Sequence, residues 1–377
     1  MFWRKKEAIN YRGSYANWSD WLTALIKREG VTDVLYYADQ LPYHRVAREI
    51  AEDLGVRPWV MEFGYLRPDW LTLEPGGMGR ASLWPKKPSS LLALAKDQDD
   101  PDMAPLYTHS FAEEAVGEVL FNLTMVFGWP FFPRYKSDKY QNPVFDYLYW
   151  LLELARERKY NKEAEVVEAA CGRGEWQFHL VAMQLQSDYQ IRRSTDYDHL
   201  EDMLDEVAKS FAAQAPENNR LVIKLHPLDN GSENWPKRVA KIAAKYRISD
   251  RVILIKGGNL HRLILLSDGV ILANSTVGLH ALRLLKPVIV LGDAIYDVPG
   301  LTHQGPLDTF WRTPDDLDEQ LNTALTRALA AHIQVKGSFY HRKGQQIAID
   351  EIVRRLTVVH DDLSSDDHIS KFARLAG

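Results

Sequence analysis

The chain has 377 residues, too many for one small core, so two domains are expected. Hydrophobic residues make up 46% and charged residues 26%, the balance of a globular protein and not of a disordered one. A net charge of −5, from 46 basic and 51 acidic side chains, argues against a nucleic-acid-binding surface, which needs a basic excess.

In chain order, Ala16 to Arg28 reads as a helix with Asn17 or Ser19 as its cap. Val31 to Tyr37, rich in Val, Leu and Tyr, predicts a strand. Pro42 starts a helix that runs to Leu54 and stops at Gly55, and Arg57 to Phe63 is a second strand. Strand, helix and strand with short connections make a βαβ unit. Residues Pro75 to Pro105 hold many Gly, Pro, Ser and Asp and predict a long loop. Helices are expected over Phe111 to Phe127 and Asn142 to Lys159, with a hinge at Lys159 to Glu165.

The second half alternates more regularly. Strands are predicted at His179–Leu185, Leu221–Leu225, Val252–Ile255, Gly269–Ala273 and Pro287–Leu291. Helices fall between them at Leu200–Ala213, Trp235–Tyr246, Asn259–Leu266 and Val277–Leu285, and a last one at Gln345–Leu356. That rhythm predicts a parallel, doubly wound sheet, whose ligands bind beyond the carboxyl ends of its strands. The expected organisation is a lobe over 1–160, a second over 161–340, and a helix and tail over 341–377 that pack back.

Cys171 is the lone cysteine, so no internal disulfide forms; a small packed side chain in a reducing cytoplasm is expected. Nowhere do about 18 apolar residues run without charge, so any lipid contact is expected to be peripheral. Eight of the 11 tryptophans, Trp3, Trp18, Trp21, Trp59, Trp70, Trp84, Trp129 and Trp150, lie in the first 150 residues. Both a membrane-surface belt and ordinary packing fit them. Arg4, Lys5 and Lys6 would add attraction to anionic lipid.

Three runs sit at the carboxyl edge of the predicted second sheet. The run LVIKLHP brings His226 and Pro227 to a strand end, with Lys224 two residues earlier. A histidine there donates to a phosphate oxygen or serves structure. Gly257 and Gly258 permit close backbone approach to a ligand, or form a turn. The run ANSTVG places Asn274, Ser275, Thr276 and Gly278 at a helix start, as a phosphate cradle or as an ordinary cap. No Gly-x-Gly-x-x-Gly, Walker loop or His-Glu-x-x-His occurs, and no cofactor or metal is expected. Asp196-Tyr197-Asp198 has the letters of a diphosphate-metal motif, but it precedes a predicted helix and reads as capping.

In the first half, EFGYLRPDWLTLEPGGMG carries Glu62 at a strand end and Arg67, Asp69 and Glu74 in the loop expected after it. Such carboxylates suit a base or nucleophile in glycosyl transfer, or pair with Arg67. Asp39 and His44 follow the first strand and are candidates for the acceptor side, together with Arg67.

These runs together resemble the capsule-polysaccharide β-Kdo transferases. Glu62 to Glu74 is similar to their Glu-x-Gly-Tyr/Phe-Leu-Arg signature, and Leu221 to Trp235 to their His-Pro motif. Asn274 to Thr302, with NSTVGLHAL, KPVIVLG and YDVPGLT, is the most specific match, and the resemblance runs from Val34 to Trp311. Two departures stand out: Phe63 where Asn is often found, and His280 where Glu is common. The resemblance implies an α/β fold of glycosyltransferase B type, two Rossmann-like lobes with a central cleft. It implies CMP-Kdo as donor in the C-terminal lobe and retention of configuration through a carboxylate. Glu74 is then the expected nucleophile, Glu62 the base and Asp69 the reserve. The length resembles the single-module enzyme that adds the first Kdo to phosphatidylglycerol, working with other capsule biosynthesis and export proteins at the inner membrane. Another metal-independent transferase with a different nucleotide sugar, and a non-catalytic capsule assembly or export factor, are the rival readings.

Overall fold

The computed structural model describes residues 8–107, 111–137, 143–189, 191 and 194–361. Trp3, Arg4, Lys5, Lys6, Asn142 and the tail after Asp361 lie outside them. In chain order the elements are α1 (Trp18–Glu29), β1 (Asp33–Tyr37), α2 (Pro42–Asp53), β2 (Arg57–Phe63), β3 (Trp70–Pro75), α3 (Pro88–Ala95), α4 (Phe111–Phe127) and α5 (Pro143–Gly172). Then come β4 (Gln177–Ala182), α6 (Leu200–Gln214), β5 (Asn219–Lys224), α7 (Trp235–Lys245), β6 (Val252–Ile255), α8 (Leu260–Leu266), β7 (Gly269–Leu272), α9 (Val277–Arg283) and β8 (Val288–Val290). The chain closes with α10 (Leu307–Phe310), α11 (Glu319–His332), β9 (Gln334–Lys336) and α12 (Arg342–Asp361).

Local chemistry sets several boundaries. α1 ends on Gly30 in the left-handed region, and Pro42 sits in the first turn of α2, where a missing N–H costs nothing. Asn17 occupies the cap position of α1, but its side chain makes no capping bond. α6 is capped by His199, which forms a reciprocal box with Asp202, so Asp196 and Asp198 are not its caps.

The chain divides into two compact units, Met1–Leu83 with Pro101–Pro143 and Leu329–Arg374, and Trp84–Asp100 with Val144–Ala328. The sheet of the first unit has the order β1-β2-β3-β9. β1 and β2 are parallel across α2, as the βαβ reading expects, and β3 and β9 then add antiparallel. Trp59, Leu71, Leu73 and Val335 bury one face of that sheet with Ala348 and Ile352 of α12. Leu22 and Ile26 of α1 pack with Ala47, Ile50 and Ala51 of α2.

The second unit holds a wholly parallel sheet, β6-β5-β4-β7-β8. Counted from its own first strand this is the order 3-2-1-4-5 of a doubly wound fold, with the reversal between β4 and β7. Strands β4 and β7 are buried almost throughout, as a sheet covered on both faces requires. Val181, Leu221, Ile223 and Ile271 pack against Met203, Val207 and Phe211 of α6 and Val239 and Ile242 of α7.

Three expectations are corrected. The hinge at Lys159–Glu165 lies inside α5, a 30-residue helix. The boundaries at 160 and 340 shift accordingly: residues 84–100 group with the second unit, and the chain returns to the first at Leu329. Pro75–Pro105 is no continuous loop, because Pro88 opens α3, whose Leu91, Leu94 and Ala95 are buried. Third, Trp70–Pro75 is a strand, which removes Glu74 from any mobile loop.

Candidate functional site

Pairing of β2 with β3 builds the first cluster. Glu62 stands opposite Thr72, and Val60 opposite Glu74. Directly opposed residues share a face, so Glu62 and Glu74 are diagonal neighbours on one face, with backbones roughly 7–8 Å apart. That face is opposite the one covered by α12. Tyr36, in register with Val60, lies on the same face and packs with Val60, Met78 and Tyr65.

Glu74 is 1% exposed. Ser82 Oγ donates to Oε1, and Tyr65 Oη donates to Oε2 at 3.5 Å. Burial pushes its pKa up to about 8; the charge of Asp39 adds to the rise, and the Ser82 and Tyr65 hydrogen bonds oppose it. Burial, followed by the charges of Glu74, Glu62 and Asp39, raises the Tyr65 phenol in turn. Glu62 is partly exposed.

Asp39 is fully buried. Ala38, at φ 52° in the left-handed region, makes the turn that swings it inward. Its Oδ2 accepts from the Met78 N–H at 3.1 Å and from Gln40 Nε2 at 2.9 Å, with Arg48 at 3.8 Å. Among the described residues Oδ1 has no hydrogen-bond partner, an uncompensated acceptor beside Glu74 and Tyr65. His44 donates from Nδ1 to the carbonyls of Tyr37 and Ala38 at 2.5 and 3.1 Å, which braces that turn.

Asp69 and Arg67 stand apart in role. Asp69 Oδ2 accepts the N–H groups of Leu106 and Tyr107 at 2.5 and 2.9 Å, a clamp on the following segment. Arg67 is exposed, stacks over Phe63 at 5.5 Å and donates to the Gly64 carbonyl; among the described residues it forms no ion pair with a carboxylate, the pairing that the sequence offered.

The second cluster lies at the reversal point of the parallel sheet. Gln184, just past β4, meets Asn274, just past β7. Gln184 Nε2 donates to Asn274 Oδ1 at 2.9 Å, and the Asn274 N–H donates back to Gln184 Oε1 at 3.2 Å. Ser275 Oγ accepts from the Val277 N–H at 3.2 Å, so the hydroxyl caps α9 in part; Thr276 makes no side-chain cap. The Ser275 carbonyl accepts from the Gly278 N–H and from Tyr296 Oη. A Cβ on residue 278 would stand 2.3 Å from that phenol oxygen, which explains the glycine. Thr302 and Gln304 both donate to Asp297, closing the YDVPGLT turn. The ANSTVG and YDVPGLT runs are therefore one structure: the second, through Tyr296, holds the first in shape.

His226 lies past β5, two strands from Asn274, or roughly 10 Å across the sheet. Its Nδ1 accepts the Leu228 N–H at 3.1 Å, which leaves the ring proton on Nε2. Pro227 is exposed in the turn. Lys224 is buried, and its Nζ donates to the carbonyls of Lys256 and Gly257 at 3.3 and 2.8 Å. Burial pushes its pKa down, opposed by Glu168. The close approach that Gly257 and Gly258 permit is to α5: a Cβ would meet Asn161 at 2.5 Å and Glu168 at 2.6 Å. Beside them Lys256 pairs with buried Glu153 of the same helix. His280 forms a 2.9 Å contact with His261, and burial pushes its pKa down.

Sequence reasoning missed Tyr65, Ser82, Gln184, Glu153 and Tyr296. Tyr65 and Tyr296 stood inside recognised motifs; nothing local marked the others. Among the described residues, no group of three or more His, Cys, Asp and Glu is arranged to hold a metal ion. No helix among them is long and apolar enough to cross a membrane.

The chain is 28% identical over 347 residues to the capsule polysaccharide export protein KpsS of Escherichia coli, covering 90% of this chain and 87% of the relative. It is also 28% identical to the capsule polysaccharide modification protein LipB of Neisseria meningitidis, over 88% of this chain and 80% of that one. Among solved structures, the β-Kdo 2,7 transferase KpsC of Thermosulfurimonas dismutans aligns at 16% identity and a TM-score of 0.44, covering 85% of this chain and 83% of that one. The family of capsule polysaccharide biosynthesis proteins matches over residues 32–340, which takes in both clusters, and the chain belongs to that family.

Proposed function

We propose that the protein is a retaining glycosyltransferase that moves Kdo from CMP-Kdo onto a lipid acceptor, phosphatidylglycerol, in capsule biosynthesis. The observation that carries this reading is the β2–β3 pair. It puts two carboxylates of a family motif, Glu62 and Glu74, diagonally on one sheet face, in unlike environments. Two carboxylates, one buried and one reachable from solvent, are what a retaining transfer uses.

The burial of Glu74 reverses the roles expected from sequence. A buried carboxyl with a pKa about 8 is neutral near pH 7 and is a poor nucleophile. Partly exposed Glu62 is the nucleophile in this proposal. Its carboxylate bonds to the anomeric carbon as the bond to the CMP phosphate oxygen breaks, and the electron pair leaves with CMP. Glu74 gives its proton to the leaving phosphate, then takes one from the acceptor hydroxyl as that oxygen displaces Glu62. Asp69 has no part in it. Ser275, Thr276 and the Nε2–H of His226 flank the reversal point, where a monophosphate bound over the end of β4 lies between them. The resemblance in ANSTVG and YDVPGLT and the capsule roles in the relatives' names support the same reading. Location at the inner face of the cytoplasmic membrane, beside other capsule proteins, belongs to it.

The test is incubation with CMP-Kdo and phosphatidylglycerol vesicles in EDTA, with intact-mass measurement of lipid and protein. The wild type should form Kdo-lipid without added metal, Glu62→Gln neither product nor sugar adduct, and Glu74→Gln little product. A wild type that binds capsule-machinery proteins but never turns over CMP-Kdo would establish the assembly-factor reading instead.

A further inference from the structure

The apolar face of α4 and the turn after it are not used by the reading above. Val116, Leu120, Leu123 and Phe127, at helical spacing, are all exposed, Phe127 by 72%. A helix in a globular unit normally turns such a stripe inward. The chain then runs Gly-Trp-Pro-Phe-Phe-Pro, with Trp129 and Phe131 each 66% exposed. From Val119 to Pro133 fifteen successive residues carry no charge. The acids of this segment, Glu113, Glu114 and Glu118, all lie in the first half of α4.

Cations rim the other end. Arg12 lies 5.7 Å over the Phe132 ring, and Lys136 stands 4.4 Å over Tyr15. Arg134 is exposed between them in the chain. The tip is also moored to its own unit: Tyr135 stacks on Tyr43 at 5.5 Å, and the Lys136 N–H donates to Tyr43 Oη. A fixed apolar wedge with a basic rim is complementary to one environment, the interface of a negatively charged bilayer. Fifteen uncharged residues fall short of the roughly 20 needed to cross a bilayer as a helix. Tryptophan and phenylalanine at one end match the headgroup level.

We infer that α4 and the Trp129–Phe132 turn form an interfacial anchor, which seats the protein on anionic lipid. The inference rests on the reading that the acceptor is a membrane lipid. Of the early tryptophans it assigns Trp129 to the membrane contact, together with the apolar face of α4.

The experiment compares wild type with a Trp129→Ser, Phe131→Ser, Phe132→Ser variant, their melting temperatures checked for equality. Each full chain is floated with vesicles of phosphatidylcholine alone or with one third phosphatidylglycerol. Wild type should float with the anionic vesicles, and the variant's partition should fall roughly tenfold or more. Both proteins are then assayed with CMP-Kdo on short-chain phosphatidylglycerol below its micelle concentration. The variant should keep wild-type turnover there and lose it on vesicles. Equal flotation of the two proteins overturns the anchor. So does a wild type that ignores vesicles but is a dimer in sedimentation, with the dimer lost in the variant. Flotation of wild type alone, with no turnover of CMP-Kdo on either acceptor, upholds the anchor and defeats the proposed activity.

Discussion

Glu74 ties the candidate chemistry to a stability measurement. Its ordinary pKa is 4.5, and in the fold burial raises it to about 8. Between those values the folded chain holds a proton that the unfolded chain has released. Glu74 is therefore without cost below about 4.5, and stability falls as pH rises until the loss levels off above about 8. Between pH 5.5 and 8.0 the loss amounts to roughly 3 kcal/mol, at 1.36 kcal/mol per unit of pKa difference. Glu74→Gln is neutral at every pH and still offers an oxygen to Ser82. Its stability relative to wild type should therefore rise by about 3 kcal/mol over that interval. Urea unfolding of both proteins at the two pH values, followed by tryptophan fluorescence, measures this as a difference of differences. Titrating groups that do not interact with Glu74 cancel. Parallel behaviour of the two proteins, within about 0.5 kcal/mol, would mean that Glu74 is already ionised at neutral pH. That result would refute its acid–base role.

Gly278→Ala should cost about 1–3 kcal/mol, because the new methyl meets the Tyr296 phenol that holds the ANSTVG turn. An unchanged melting temperature would show that the two motifs are not locked together. His226→Ala should lower kcat/KM for CMP-Kdo by an amount equivalent to roughly 2–4 kcal/mol of transition-state stabilisation, the scale for losing a hydrogen-bond donor to developing charge. Normal kinetics in a folded variant would remove His226 from the donor site.

The sequence by itself determined the α/β character, the parallel sheet of the second unit with its five strands, and helices α6 to α9 between them; α3, α10 and α11 were not legible in it. There, hydrophobic runs of strand length are bounded by helix caps, glycines and prolines, and each decides its own state locally. Val252–Ile255 is found at the predicted residues, and the same holds for β2 in the first unit. Motif letters also placed the ANSTVG and His-Pro runs at one sheet edge. What only the tertiary structure decided is what depends on partners distant in the chain. β3 was hidden among Pro68, Pro75 and two glycines, and three-residue β9 exists only because β3 lies beside it, some 260 residues earlier. The protonation of Glu74 follows from burial under Tyr65 and Ser82, and burial has no local signature. Lys224 and Gly257–Gly258 carry the letters of a ligand site, yet the lysine braces two carbonyls and the glycines make room for α5. A residue's type states which contacts it is able to make. Which contact forms is decided by what the fold brings within reach.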